Sequence, residues 1–293
     1  MKIKPSIIRH AILSVVAIMA LSCSSDSDTP PEMEEQPVNF QFQDGFETGT
    51  DDFMDLFPQD GSRWSTTQII SPNGAENTLS LSTVQASEGQ QSLIIESKQS
   101  NEILSKADIE KGGFMAPENS IVIIEADFYI DSDANIENLF LIDLECCSCW
   151  DPSVDADPSV DGDNKCPGVR LVMSGGNDYL SIERGKIAGT TLSQTSFQFP
   201  RREWVTVRWQ MMLSTENNGS NELFINNQQV LSESAMNLPN ADVFRAIFAE
   251  NDIDFELQQP VVYERVQIGA TANPDAEDLV LYIDNFSISI TQN

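Results

Sequence analysis

The chain has 293 residues, with 16 Lys and Arg against 46 Asp and Glu, a net charge of −30. So acidic a balance excludes nucleic acid as a partner and excludes adhesion to anionic lipid through a basic patch. The single histidine is His10, in the N-terminal leader; beyond it, Ser-His and Cys-His catalysis, histidine-ligated zinc and a histidine base are all excluded.

Residues 1–22 carry Lys2, Lys4 and Arg9, then an apolar run from Ala11 to Leu21. A charged segment, a short apolar segment and small residues up to Cys23 spell an export signal peptide. The run is too short to span a bilayer permanently. Without the leader the chain keeps 13 basic and 46 acidic residues, a net of −33. The stretch Ala20-Leu21-Ser22-Cys23, followed by Ser24-Ser25-Asp26-Ser27-Asp28, resembles a bacterial lipoprotein signal. That resemblance implies lipidation of Cys23 and membrane attachment through the acyl chains. An acidic stretch just after the cysteine is similar to the surface-export signal of Bacteroidetes-type lipoproteins. It implies an outer-membrane protein exposed at the cell surface. Residues 23–39 read as a flexible tether, because Thr29-Pro30-Pro31-Glu32 and Glu34-Glu35-Gln36-Pro37 favour extended, solvated backbone.

From Phe40 the texture changes to short β-type runs divided by turn residues. The runs begin with Leu79–Val84, Ser92–Ser97, Ile121–Ile130 and Leu139–Glu145. Val169–Met173 and Tyr179–Glu183 flank Ser174-Gly-Gly-Asn-Asp178, a hairpin signal. Trp204–Leu213, Glu222–Ile225 and Gln229–Leu231 follow, the last two divided by Asn226-Asn227. Asn240 caps one short helix with Val243, Phe244, Ile247 and Phe248 on a stripe. Val261–Ile268 and Leu279–Ile290 close the chain. Period-two runs at this spacing predict an all-β fold, a two-sheet antiparallel β-sandwich or jelly roll over residues 40–293, with an insertion at 146–166.

Three segments carry a family resemblance. Phe46-Glu47 after Asp44-Gly45 looks like the opening of many extracellular jelly rolls. Trp204–Leu213, a turn, Glu222-Leu-Phe-Ile-Asn-Asn and Leu281-Tyr-Ile-Asp-Asn-Phe-Ser-Ile288 are similar to the corresponding strands of concanavalin A-like lectin/glucanase domains. The resemblance implies a concanavalin A-like jelly roll and a carbohydrate partner. The fold alone does not choose between lectins, hydrolases and polysaccharide lyases.

On a strand, Leu141, Asp143 and Glu145 point one way. Laminarinase-type hydrolases place Glu-x-Asp-x-Glu there; Leu141 stands in the nucleophile's place, so the resemblance implies no working hydrolase site. Lyases on this fold neutralise a uronate with Arg and Gln and abstract a proton with Tyr or His. Here Arg208 and Gln210 would bind the uronate, with Tyr179 or Tyr263 as base. Seven basic residues, Lys165, Arg170, Arg184, Lys186, Arg201, Arg202 and Arg208, crowd between 165 and 208, either serving a glycan or balancing acids. Candidate glycan contacts are Arg170, Arg184, Asp143 and Glu145, with Trp64 and Trp150 beside turns as stacking platforms. Trp204 and Trp209 read as core residues.

In an exported chain, Cys146, Cys147, Cys149 and Cys166 read as disulfides of open connectivity, with Cys147 or Cys149 to Cys166 stapling an acidic loop. That loop repeats Asp-Pro-Ser-Val-Asp in tandem. Asp155, Asp157, Asp161 and Asp163 read either as ligands of a structural Ca²⁺ or as a solvated insertion grown by duplication. The favoured function is polysaccharide capture by a cell-surface lipoprotein. A tyrosine-based uronate lyase and a structural or adhesion lipoprotein are the alternatives.

Overall fold

Alternation of apolar and polar residues builds the strands. In a computed structural model describing residues 40–71, 76–98, 105–133, 136, 138–149, 167–185, 190–250, 256–273 and 278–292, they are as follows. The first seven are β1 (Phe40–Asp44), β2 (Thr66–Ile70), β3 (Thr78–Ser82), β4 (Ser92–Ser97), β5 (Lys106–Ala116), β6 (Ser120–Ile130) and β7 (Asn138–Glu145). Next come β8 (Gly168–Ser174), β9 (Tyr179–Arg184), β10 (Thr190–Gln198), β11 (Val205–Met212), β12 (Gly219–Ile225) and β13 (Gln228–Ala235). The helix α1 (Ala241–Glu250), β14 (Tyr263–Ala272) and β15 (Leu279–Gln292) complete the fold.

The strands form two antiparallel sheets. One runs β13-β12-β11-β6-β15-β4-β3, with β1 added along β15; the other runs β10-β9-β8-β7-β14-β5-β2. The core lies between them. Ile124, Phe128, Trp209, Ile283 and Ile288 from the first join Ile109, Leu144, Leu171, Ile182 and Ile268 from the second in one buried cluster. Each such side chain contributes about 1.5–3 kcal/mol of burial.

Several sequence expectations hold in detail. Gly175, Gly176 and Asp178 take positive φ in the β8–β9 turn, and Asn226 and Asn227 do so in the two-residue β12–β13 turn, the mirror-image geometry that suits strand twist. The Asn240 carboxamide oxygen accepts from the N–H groups of Asp242 (3.0 Å) and Val243 (3.2 Å), capping α1. Phe244 and Phe248 supply its buried face.

Two expectations are corrected. Trp64 is no surface platform: it is 1% exposed and packs against Phe286 (4.9 Å), Phe42 (5.2 Å) and Phe46 (5.9 Å). Its large apolar ring gains more from this aromatic nest than from solvent. Trp204 leaves the core and lies against Tyr129 at 5.6 Å, half-buried, whereas Trp209 is fully buried as expected.

Cys146 pairs with Cys149, closing the turn that follows β7. A Cys149–Cys166 bridge is thereby excluded; Cys147 is itself disulfide-bonded, and Cys166 lies outside the described residues.

Candidate functional site

The seven-stranded sheet turns its apolar side chains to the core and an ionisable set to its other face. On β5, Ala107 and Ile109 enter the core while Lys106, Asp108 and Glu110 face away; on β14, Val266 and Ile268 enter while Arg265 and Gln267 face away. The strand register aligns these groups. Thr66 opposes Glu110, Glu110 opposes Gln267, and Gln267 opposes Asp143. Asp143 opposes Arg170, Arg170 opposes Glu183, and Glu183 opposes Thr191. One unbroken polar row thus crosses all seven strands.

A register shift between Phe140 and Ile142 sets the phase of β7. Leu141 and Ile142 both join the core, so Leu141 does not share a face with Asp143 and Glu145 as strict alternation requires. Phe140 instead meets Val172 and Ala272 in a small second cluster on the row's face. The Arg170 guanidinium lies over the Phe140 ring at 5.0 Å.

Pairing along the row is dense. Arg265 reaches Glu110 at 3.2 Å and Glu145 at 3.0 Å, and also contacts the Cys147 sulfur. The Gln267 amide donates to Glu110 (3.3 Å) and Glu145 (3.2 Å). Lys106 donates to the Gln68 side-chain oxygen Oε1 (2.6 Å) and lies 3.9 Å from Asp108. Arg170 lies 3.8 Å from Asp143. Lys106, Asp108, Asp143, Glu145, Arg170 and Gln267 are at most 1% exposed. Burial raises the Glu183 carboxyl above the ordinary range, with the neighbouring Arg170 opposing it. Among the described residues, Gln267 Oε1 and Arg170 Nη2 are buried without a hydrogen-bond partner. Charges taken out of water in this number do not serve stability, which apolar residues would supply at lower cost. Buried, charge-coupled groups of this kind make this face the candidate site.

The proposed lyase residues are not brought together. Tyr179 is half-buried at the start of β9 in the seven-stranded sheet, whereas Arg208 and Gln210 stand on β11 in the other sheet, where Arg208 lies 4.1 Å over Phe224. Tyr263 is not placed to act as the base: it is fully buried, its hydroxyl donates to the Asn237 carbonyl at 2.5 Å, and burial drives its ionisation far upward. Of the expected glycan contacts, Asp143, Glu145 and Arg170 lie on the row. Arg184 does not, for its guanidinium donates to the Met236 carbonyl (3.0 Å) after β13. Arg201 pairs with Asp178 and Arg202 with Asp133 (2.7 Å), so part of the basic cluster balances acids. Trp150, Asp155, Asp157, Asp161, Asp163 and the lipidation residue Cys23 lie outside the described residues. Among the described residues no group of three or more His, Cys, Asp or Glu side chains is placed to hold a metal ion.

Sequence reasoning missed Lys106, Asp108, Glu110, Glu183, Arg265 and Gln267. The signal was present as polar residues at every second position of Lys106-Ala-Asp-Ile-Glu110 and Arg265-Val-Gln267.

The fold is a concanavalin A-like β-sandwich. No protein-family model matches the chain, and no curated protein matches it. Solved structures do. A cellulose-induced protein, Cip1, is similar over 84% of this chain and 96% of its own, at 15% identity and a TM-score of 0.51. An endo-β-1,4-glucuronan lyase from the fungus Trichoderma reesei is similar over 78% and 91%, at 11% identity and 0.52. The alginate lyase Aly36B is similar over 86% and 96%, at 9% identity and 0.50. At these identities the likeness is one of fold.

Proposed function

We propose that this chain binds a polysaccharide along the outer face of its seven-stranded sheet. One observation carries the reading: a continuous row of charged and amide side chains, buried at some energetic cost, with a free Gln267 carbonyl and a free Arg170 amino group. Convergent polar groups with unfilled hydrogen-bonding capacity suit sugar hydroxyls, which both donate and accept. Similarity in fold to two polysaccharide lyases supports a carbohydrate partner. Elimination is the weaker reading, since Tyr179 stands on a different sheet from Arg208 and Gln210.

Retardation of the full chain in glycan-containing native gels tests the proposal. Wild type is expected to slow, and Gln267→Ala to migrate as if no glycan were present. Equal retardation of the two would remove the row from the binding site. A lyase would give an unsaturated, ultraviolet-absorbing product from a polyuronate; none is expected.

The sequence supports two further parts of the same proposal. Lipidation of Cys23 would hold this acidic protein at the outer membrane, at the cell surface; loss of labelled acyl chain in Cys23→Ala is the expected outcome. Ca²⁺ held by Asp155, Asp157, Asp161 and Asp163 would relieve their mutual repulsion, so a chelator is expected to lower the melting temperature. An unchanged melting temperature counts against the ion.

A further inference from the structure

The polar row also limits the chemistry of the glycan it accepts, an inference that rests on the binding reading above. Among the described residues of this face the carboxylates are Asp108, Glu110, Asp143, Glu145 and Glu183, and the cations are Lys106, Arg170 and Arg265. Every one of these cations lies within 4 Å of a carboxylate. Arg265 is held by two, at 3.0 and 3.2 Å, Arg170 lies 3.8 Å from Asp143, and Lys106 lies 3.9 Å from Asp108. A uronate arriving at Arg265 would have to displace Glu110 or Glu145 and leave the displaced carboxylate buried beside a second negative charge, and one arriving at Arg170, whose Nε and Nη2 have no hydrogen-bond partner, would stand between Asp143 and Glu183, which oppose Arg170 on the neighbouring strands. Low local dielectric makes that repulsion stronger than in water.

From this we infer that the site takes an uncharged polysaccharide and rejects polyuronates. The same groups that repel a carboxylate accept hydrogen bonds from neutral sugar hydroxyls, and the Gln267 carbonyl adds one more acceptor. The row is also long enough for a chain. Seven strands give six spacings of about 4.8 Å, roughly 29 Å in all, the reach of an oligosaccharide rather than a single sugar. Its two ends, Thr66 and Thr191, are exposed. Specificity of this kind arises from the unfavourable encounter with the wrong partner as much as from contacts with the right one.

Native gels containing an uncharged β-glucan, alginate or no glycan, run with the full chain at low and high salt, test this. Retardation by the glucan that survives high salt, with none by alginate, is the expected result. Retardation by alginate that salt abolishes would overturn the inference while leaving the binding reading intact. Free migration in every gel would overturn both. The variant Glu110→Gln/Glu145→Gln releases Arg265 and is expected to gain a retardation by alginate that wild type lacks. A variant still indifferent to alginate, with its fold confirmed by circular dichroism, would show that carboxylate excess is not what excludes uronates.

Discussion

The guanidinium of Arg265 holds Glu145 across the β14–β7 pair, Nε to Oε2, at 3.0 Å, with the carboxylate wholly buried and the arginine about a quarter exposed. The same arginine bridges to Glu110 on the other side. Replacing it as Arg265→Met therefore leaves two carboxylates facing each other without their shared cation. We expect a loss of about 2–3 kcal/mol, at the low end for a broken buried pair because Arg265 keeps some solvent. Adding Glu110→Gln and Glu145→Gln should restore most of it. Urea midpoints of the single and triple variants check this; equal midpoints would mean the bridge is not coupled.

Glu183 gives the pH dependence. Burial raises its carboxyl above the ordinary 4.5, so the folded state binds the proton more tightly than the unfolded chain does. Stability from this group is therefore greatest at acid pH and declines as pH rises through and above 4.5. Asp284, raised from 3.8 chiefly by burial, acts in the same sense. Glu183→Gln removes the first contribution, so the variant should gain on wild type steadily between acid and neutral pH. Parallel curves of unfolding midpoint against pH would refute the assignment.

Trp64 separates core from platform. As a buried ring among Phe42, Phe46 and Phe286 it should cost about 3–5 kcal/mol when replaced as Trp64→Ala. Glycan retardation of the variant that remains folded, measured below its melting temperature, should be unchanged. A platform would give the reverse: lost binding with little lost stability.

Tyr263→Phe tests the buried hydroxyl. The Asn237 carbonyl loses its donor inside the sandwich, an effect of about 1–2 kcal/mol. Thermal unfolding should register the change while glycan retardation does not.

Most of the eight-stranded sheet was readable because its strands alternate cleanly, as in Val205-Thr-Val-Arg-Trp-Gln-Met-Met212. The other sheet was readable only at its middle. β2, β5 and β10 escaped notice for two physical reasons. Thr190–Gln198 and Thr66–Ile70 are rich in Thr, Ser and Gln and form the two edges, where one side has no neighbouring strand and few apolar residues are needed. Lys106–Ala116 is long but alternates charge with small apolar residues and carries Gly112-Gly113, which reads as a loop. The site followed the same division. Asp143, Glu145 and Arg170 were found on strands already recognised. Their partners Glu110 and Arg265 come from strands far away in sequence, so only the register reveals them. Leu141 was misplaced because a one-residue irregularity in β7 is invisible to a period-two rule.

Where β7 ends and β8 begins, Glu145 opposes Gly168, and the Cys146 N–H donates to the Pro167 carbonyl at 2.8 Å. A side chain at Gly168 would meet the Leu144 carbonyl at 2.6 Å, so glycine keeps the two backbones together. The chain therefore departs and returns at neighbouring points, with Cys146 and Cys149 locking the point of departure. That makes the junction a natural cassette boundary: a foreign polypeptide grafted between Cys149 and Cys166, with both cysteines kept, would start and finish at a fixed gate.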